Sequence, residues 1–311
     1  MAVQIEYRSP VLTSQFLQRL DAAMQQAPIA QVLFDKKRGW NAQFLHHAKR
    51  GGEVCRDAGI CDHQQPHLLR ASQNALVLAD MLRDGQQTQK QASSRLFSDA
   101  SAIFVLHTHD LGYGSDNAQV EAYEVVNHEE ESARIVEELF LGVHRLHPSR
   151  RMGWKYRDVY REAILGTLDD PTGMMHNLLA AQTSPDTHTL FQLMIATADK
   201  ADYFISHRIG ELPSPQAYTD NPYYFLADAV EAYRLQYDSN RGVLQYAVAL
   251  HQNKGHQTTA GELLSDFSVW KEATQEAYPT VFALLRGIAA LAGKDFEIVK
   301  LQEAKGGEGG I

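Results

Sequence analysis

The stretch that most constrains the fold is Ala102-Ile-Phe-Val-Leu-His-Thr-His-Asp-Leu-Gly-Tyr-Gly114. Its apolar run, Ile103 to Leu106, suits a buried helix, and Gly112 and Gly114 end that helix just after it has delivered His109 and Asp110. An imidazole and a carboxylate are both metal-ligand types. Adjacent helical residues point about 100° apart, yet at a last turn both can lean onto one ion over the helix end. In a chain with 14 histidines a His-Asp pair arises by chance about once. The pair therefore carries meaning only if further ligands flank it on other helices.

Upstream, His67 to Leu82 reads as one amphipathic helix with an apolar stripe of Leu68, Ala71, Ala75, Leu78 and Leu82. His67 falls in its first turn after Pro66, and Arg70 and Asn74 share its face. Downstream, Leu190 to Phe204 is an apolar helix interrupted by Asp199. An unpartnered carboxylate there is costly, so a partner is expected and a metal ion is a good one. With three helices each supplying ligands, the pattern H…HD…D resembles the HD-domain superfamily of metal-dependent phosphohydrolases. The resemblance spans about residues 61–212. It implies a mainly α helical bundle in which His67, His109, Asp110 and Asp199 hold a divalent ion. Around this unit the sequence divides into a helical lead-in, residues 1–60, and a small α+β appendage with a flexible tail, residues 213–311.

Taken in order, the lead-in shows a short apolar face of Phe16, Leu17 and Leu20 before Pro28. His46, His47, Cys55, Cys61 and His63 are zinc-type ligands, but the spacing of the two cysteines fits no common zinc module. Gly51-Gly52 reads as a loop into the His67 helix. A polar Gln- and Ser-rich connection covers Asp84 to Ser94, and Ser98 or Asp99 caps the next helix. Asp116, Glu121 and Glu124 follow Gly114 and either shape the mouth of the site or belong to a solvated linker.

Asn127-His-Glu-Glu130 has the form of a capping box, which puts His128 at the start of a helix. The resemblance implies that this His points at the active site, where binuclear members use it for a second metal. Those members also carry histidines about thirty residues before the last Asp. Tyr160 to Pro171 offers only Asp169 and Asp170 there, and His176 and His188 match no position. Lys200, directly after Asp199, is a cation suited to a phosphate. Beyond Pro213-Ser-Pro215, Tyr223 to Tyr237 reads as helix and Gly242 to Leu250 as a strand. Gly261 to Leu291 gives two helices divided at Pro279, and Phe296 to Leu301 is a second strand able to pair with the first.

The net charge of −9 and the lack of a basic tract argue against an extended nucleic-acid surface. No apolar stretch is long enough to span a bilayer, no secretory signal is visible, and two cysteines fit a reducing compartment, so a cytoplasmic location is expected. Mixed N/O ligands suit manganese, iron, cobalt, nickel or zinc. The expected function is a metal-dependent phosphatase or phosphodiesterase acting on a small phosphorylated substrate, nucleotide-like by analogy with the superfamily. Asp116 or Glu124 would direct the attacking water, and Arg70, His128 and Lys200 would bind phosphate. Two alternatives stand beside it: an HD-type diiron oxygenase, which needs further histidines, and a non-catalytic nucleotide- or metal-binding regulator. For the C-terminal region the expectation is homo-oligomerisation or covering of the pocket.

Overall fold

Helices carry the architecture. The structure, a computed structural model, describes residues 3–7, 14–24, 34–35, 39–40, 42–58, 65–121, 124–146, 156–167, 171–204 and 279–300. In chain order the helices are α1 (Ser14–Met24), α2 (Ala42–Ala58), α3 (Gln65–Asp84), α4 (Asp99–Thr108) and α5 (His128–Leu146). They continue with α6 (Arg157–Leu165), α7 (Pro171–Thr183), α8 (Thr187–Phe204) and α9 (Pro279–Leu291). A single turn at Gln89–Ala92 and tight turns at Arg95–Phe97 and Leu111–Gly114 connect them.

The centre is α4. Every residue from Ala100 to Thr108 is buried, as an apolar helix without a polar face requires. Ser98 caps it, its hydroxyl accepting from Ser101 N–H at 3.3 Å. Helices α1, α3, α6 and α8 surround it, and α3 lies along α8. The turn Leu111–Gly114 is gripped between α2 and α5, and its glycines are what permit this. A Cβ on Gly112 would sit 1.9 Å from the His128 carbonyl oxygen, and one on Gly114 would sit 1.8 Å from that of His47. The same contact reaches the backbone N of Gly51. Gly51-Gly52, expected as a loop, therefore lies inside α2, where small residues allow the turn to approach.

One apolar core runs through the described helices. Phe16 and Leu20 of α1, Leu69 of α3, Phe104 of α4, Phe191 of α8 and Leu284 and Ile288 of α9 all belong to it. Helices α1 and α9 both pack on helices of the central unit, and the boundaries expected at residues 60 and 212 lie outside the described residues. Pro279 opens α9 at its first position, where a missing N–H costs nothing.

Among the described residues strands are few, and the strand expected from Phe296 is present over Phe296–Lys300 but with a different partner from the one expected. Val3–Tyr7 pairs in parallel with Phe296–Lys300, Val3 opposite Phe296. A parallel partner so distant in sequence leaves no local signature. The expected partner, Gly242 to Leu250, lies outside the described residues, as do Tyr223 to Tyr237, Pro213-Ser-Pro215 and the Gly-rich tail. Two-residue antiparallel ladders join Phe34–Asp35 to Gly39–Trp40 and Val120–Glu121 to Glu124–Val125. The second lies within residues 61–212, where only helix was expected. Asn127 sustains it, accepting from Gln119 N–H at 2.9 Å and donating to Asn117 O at 3.0 Å. Its side chain therefore ties down the hairpin and does not close the expected capping box. Among the described residues, no helix is long and apolar enough to cross a membrane.

Candidate metal centre

The packing of α3 along α8, with the end of α4 between them, brings His67, His109 and Asp199 together and sets Asp110 beside them. His67 Nε2 lies 3.0 Å from Asp199 Oδ1, and His109 Nε2 lies 3.1 Å from the same oxygen. Asp110 lies alongside: Oδ2 is 3.4 Å from His67 Nε2 and Oδ1 is 3.3 Å from His109 Nε2. Local backbone explains how neighbours in sequence share one target. His109 keeps helical geometry, whereas Asp110 (φ −104°, ψ 8°) steps into the bridge region and swings its carboxylate back. All four side chains are buried, at 0%, 2%, 3% and 5% exposure for His67, His109, Asp110 and Asp199.

Ligands at about 2.1 Å around one ion are separated from each other by about 3.0 Å at right angles and about 3.4 Å at tetrahedral angles. The observed separations match those edges. His67, His109 and Asp199 can hold a metal ion, each offering one donor atom within 4.8 Å of the others.

The outer contacts of the imidazoles point the same way. His109 Nδ1–H donates to the Leu106 carbonyl at 2.9 Å, using an acceptor that the end of α4 leaves spare. His67 Nδ1–H donates to Asp202 Oδ2 at 2.8 Å, and His128 Nδ1–H donates to the Val125 carbonyl at 2.7 Å. A carbonyl can only accept, so the proton sits on Nδ1 and Nε2 is left for a metal or a second proton. Burial alone would push the His109 imidazole down, but the charges of Asp110 and Asp199 hold it up at about 9. Burial likewise opposes ionisation of Asp199, yet Lys200 and His109 keep it well below the usual carboxylate range. An ionised carboxylate in so little water demands a cation, which Lys200, a proton on an imidazole or a metal ion can supply.

Two groups form the more exposed edge. His128 (10% exposed) has Nε2 3.8 Å from Asp110 Oδ1 and 3.1 Å from Glu129 Oε1. The ring of Tyr113 lies against it, centroids 4.4 Å apart. Lys200 (14% exposed) places Nζ 3.4 Å from Asp199 Oδ2. Burial would lower the His128 pKa, but Glu129 and then Asp110 raise it.

Other expected site residues fall elsewhere. Arg70 is buried behind His67, with Nε 2.7 Å from Asp202 Oδ1 and Nη2 2.9 Å from Asp202 Oδ2. Asp116 is 74% exposed and forms an ion pair with Arg50. The Glu121 and Glu124 side chains lie outside the described residues, as do Asp169, Asp170, Cys61, His63 and the Cys55 thiol. Of the remaining histidines, His46, His176 and His188 are exposed, whereas His47 is buried with Nδ1 3.1 Å from the Gly114 carbonyl. Sequence reasoning missed Glu129 and Ser132. Glu129 is buried in the acidic first turn of α5. Ser132 Oγ accepts from Gly112 N–H at 2.7 Å and docks α5 on the metal turn. Its position one turn after His128 was the available signal.

Comparison with known proteins returns no match: no family model, no curated protein and no solved structure.

Proposed function

We propose that this chain is an HD-type metal-dependent phosphohydrolase, a phosphatase or phosphodiesterase, with His67, His109, Asp110 and Asp199 as ligands of one divalent ion. The support is the buried meeting of two imidazoles and two carboxylates at ligand-edge separations, each imidazole carrying its proton on the far nitrogen. Manganese, iron, cobalt, nickel or zinc suits such a donor set. The ion, when bound, would polarise a phosphoryl oxygen and lower the pKa of a water molecule.

The chain's own residues supply the rest. Lys200 stands at the rim with a positive charge for the phosphate. His128, with its ring held by Val125 O and backed by the Glu129 carboxylate, is placed to hold or deliver a proton at Nε2. Those two residues take over the proton role expected of Asp116, which faces solvent beside Arg50. A nucleotide-like substrate is favoured by analogy with the superfamily alone.

The test is metal analysis of the purified chain, then a screen of nucleotides and generic phosphodiesters with manganese. Turnover that requires the ion and disappears in Asp110→Ala is the expected result. Oxygen uptake coupled to substrate loss, with no phosphate or phosphomonoester released, would overturn it.

A further inference from the structure

Behind the proposed ligands lies a charged pair that the reaction does not use directly. Asp202 accepts three hydrogen bonds: from His67 Nδ1–H at 2.8 Å, from Arg70 Nε at 2.7 Å and from Arg70 Nη2 at 2.9 Å. All three side chains are buried, with Asp202 at 0%. Each partner sits one turn after a proposed ligand, Arg70 three residues beyond His67 on α3 and Asp202 three beyond Asp199 on α8.

We propose that Arg70 and Asp202 are a positioning pair that fixes the His67 imidazole and sets how tightly the site holds its divalent ion. This rests on the metal-dependent reading above. Asp202 cannot ligate the same ion, because it meets Nδ1 while the cluster meets Nε2, on the other side of the ring. What it can do is lock the ring, place its proton on Nδ1 and make Nε2 a stronger donor through its negative charge. The two-pronged Arg70 contact holds the carboxylate in plane and keeps it from turning toward the ion.

A purely stabilising role is a weaker account. A buried ion pair adds little net stability, since desolvation offsets its attraction, and apolar residues of similar volume would serve this helix contact as well. The pair is also selective: His109 and His128 direct their Nδ1–H groups at main-chain carbonyls, and His67 has an ionised acceptor.

The experiment measures the dissociation constant for zinc and manganese by competition with a chromophoric chelator, in wild type, Asp202→Asn and Arg70→Lys. Urea unfolding of each chain with chelator present, and the long-range nitrogen–proton NMR pattern of His67, are recorded alongside. Asp202→Asn should weaken metal binding about 10- to 100-fold and loosen the fixed Nδ1–H form of His67. Arg70→Lys, which keeps the charge and loses the fork, should weaken it less but measurably; it carries the comparison alone if Asp202→Asn does not fold. If the wild type binds metal and the folded variants match it within about twofold, the pair is structural only and the proposal fails. If the wild type binds no divalent ion, the metal reading itself has failed. A wild type that binds metal but hydrolyses no phosphate ester leaves the affinity comparison as decisive as before.

Discussion

Gly112→Ala isolates the contact that seats His128 beside the cluster. The added Cβ would meet the His128 carbonyl oxygen at 1.9 Å, its carbonyl carbon at 2.7 Å and its Cα at 2.9 Å. These are backbone atoms at the start of α5, so no side chain can swing aside. Relief needs a retreat of more than about 1 Å to reach ordinary contact distance. The 2.7 Å bond from Gly112 N–H to Ser132 Oγ would be stretched or lost, at about 1 kcal/mol. Overpacking adds about 1 to 3 kcal/mol, so the total is about 2 to 4 kcal/mol. Urea denaturation with chelator present should show that loss as a lower midpoint at unchanged slope. Ser132→Ala, which removes the bond without the clash, should cost about 1 kcal/mol. A Gly112→Ala chain within about 0.5 kcal/mol of wild type would mean that α5 is not pressed against this turn, and the placement of His128 would lose its basis.

Other expectations follow from the same geometry. His128→Ala should keep its metal content, since its Nε2 stands 3.8 Å from Asp110 Oδ1, beyond the 3.0 to 3.4 Å separations within the cluster, while turnover falls about 100-fold or more; loss of the ion by elemental analysis would make His128 a ligand. Asp99 is pushed up by burial but held below its ordinary value of 3.8 by Arg19, with bonds of 2.6 and 2.7 Å, and by Arg83. Stability from that depressed pKa is fully present above pH 3.8 and is lost as pH falls through the folded value, so Asp99→Asn should lower stability at neutral pH and flatten the acid limb of a thermal-unfolding series. An unchanged pH slope would place the benefit of this pair elsewhere.

The candidate cluster was legible where a residue breaks the rule of its own helix. Asp199 interrupts an apolar run, and His109-Asp110 ends one just before two glycines. Burial of Leu68, Ala71, Ala75, Leu78 and Leu82 follows the stripe read from the sequence. The Arg70–Asp202 pair was half visible. Arg70 was read on the face of His67, but a guanidinium near a candidate metal site suggests a phosphate until the crossing of α3 and α8 is known. Helix periodicity is local, whereas that crossing depends on side chains from both helices. The glycines carried a second message in the same way: they read as helix stops, and they also permit the backbones of α2 and α5 to close on the turn. The inclusion of α9 in the core could not be read at all, since its buried face would look the same in an independent appendage.

On the metal-dependent reading, the gradient of burial across the site separates holding the ion from choosing the substrate. The four proposed ligands are 5% exposed or less, while Lys200 and His128 stand at 14% and 10%. On the proposed reading, a substrate would present its phosphoryl end to the ion and rest the remainder along the more exposed edge. Lys200→Met tests this division because the two roles move in opposite directions. The Lys200 charge, 3.4 Å from Asp199 Oδ2, repels a divalent cation, so its removal should leave metal affinity unchanged or increase it. If the ammonium instead contacts the phosphate, losing a charge-assisted hydrogen bond of about 1.5 to 3 kcal/mol should lower kcat/KM about 10- to 100-fold, chiefly through KM. Titration of the metal and steady-state kinetics on one generic phosphodiester give both numbers from one preparation. Weaker metal binding at unchanged KM would show that Lys200 orders Asp199 as a ligand and never meets the substrate.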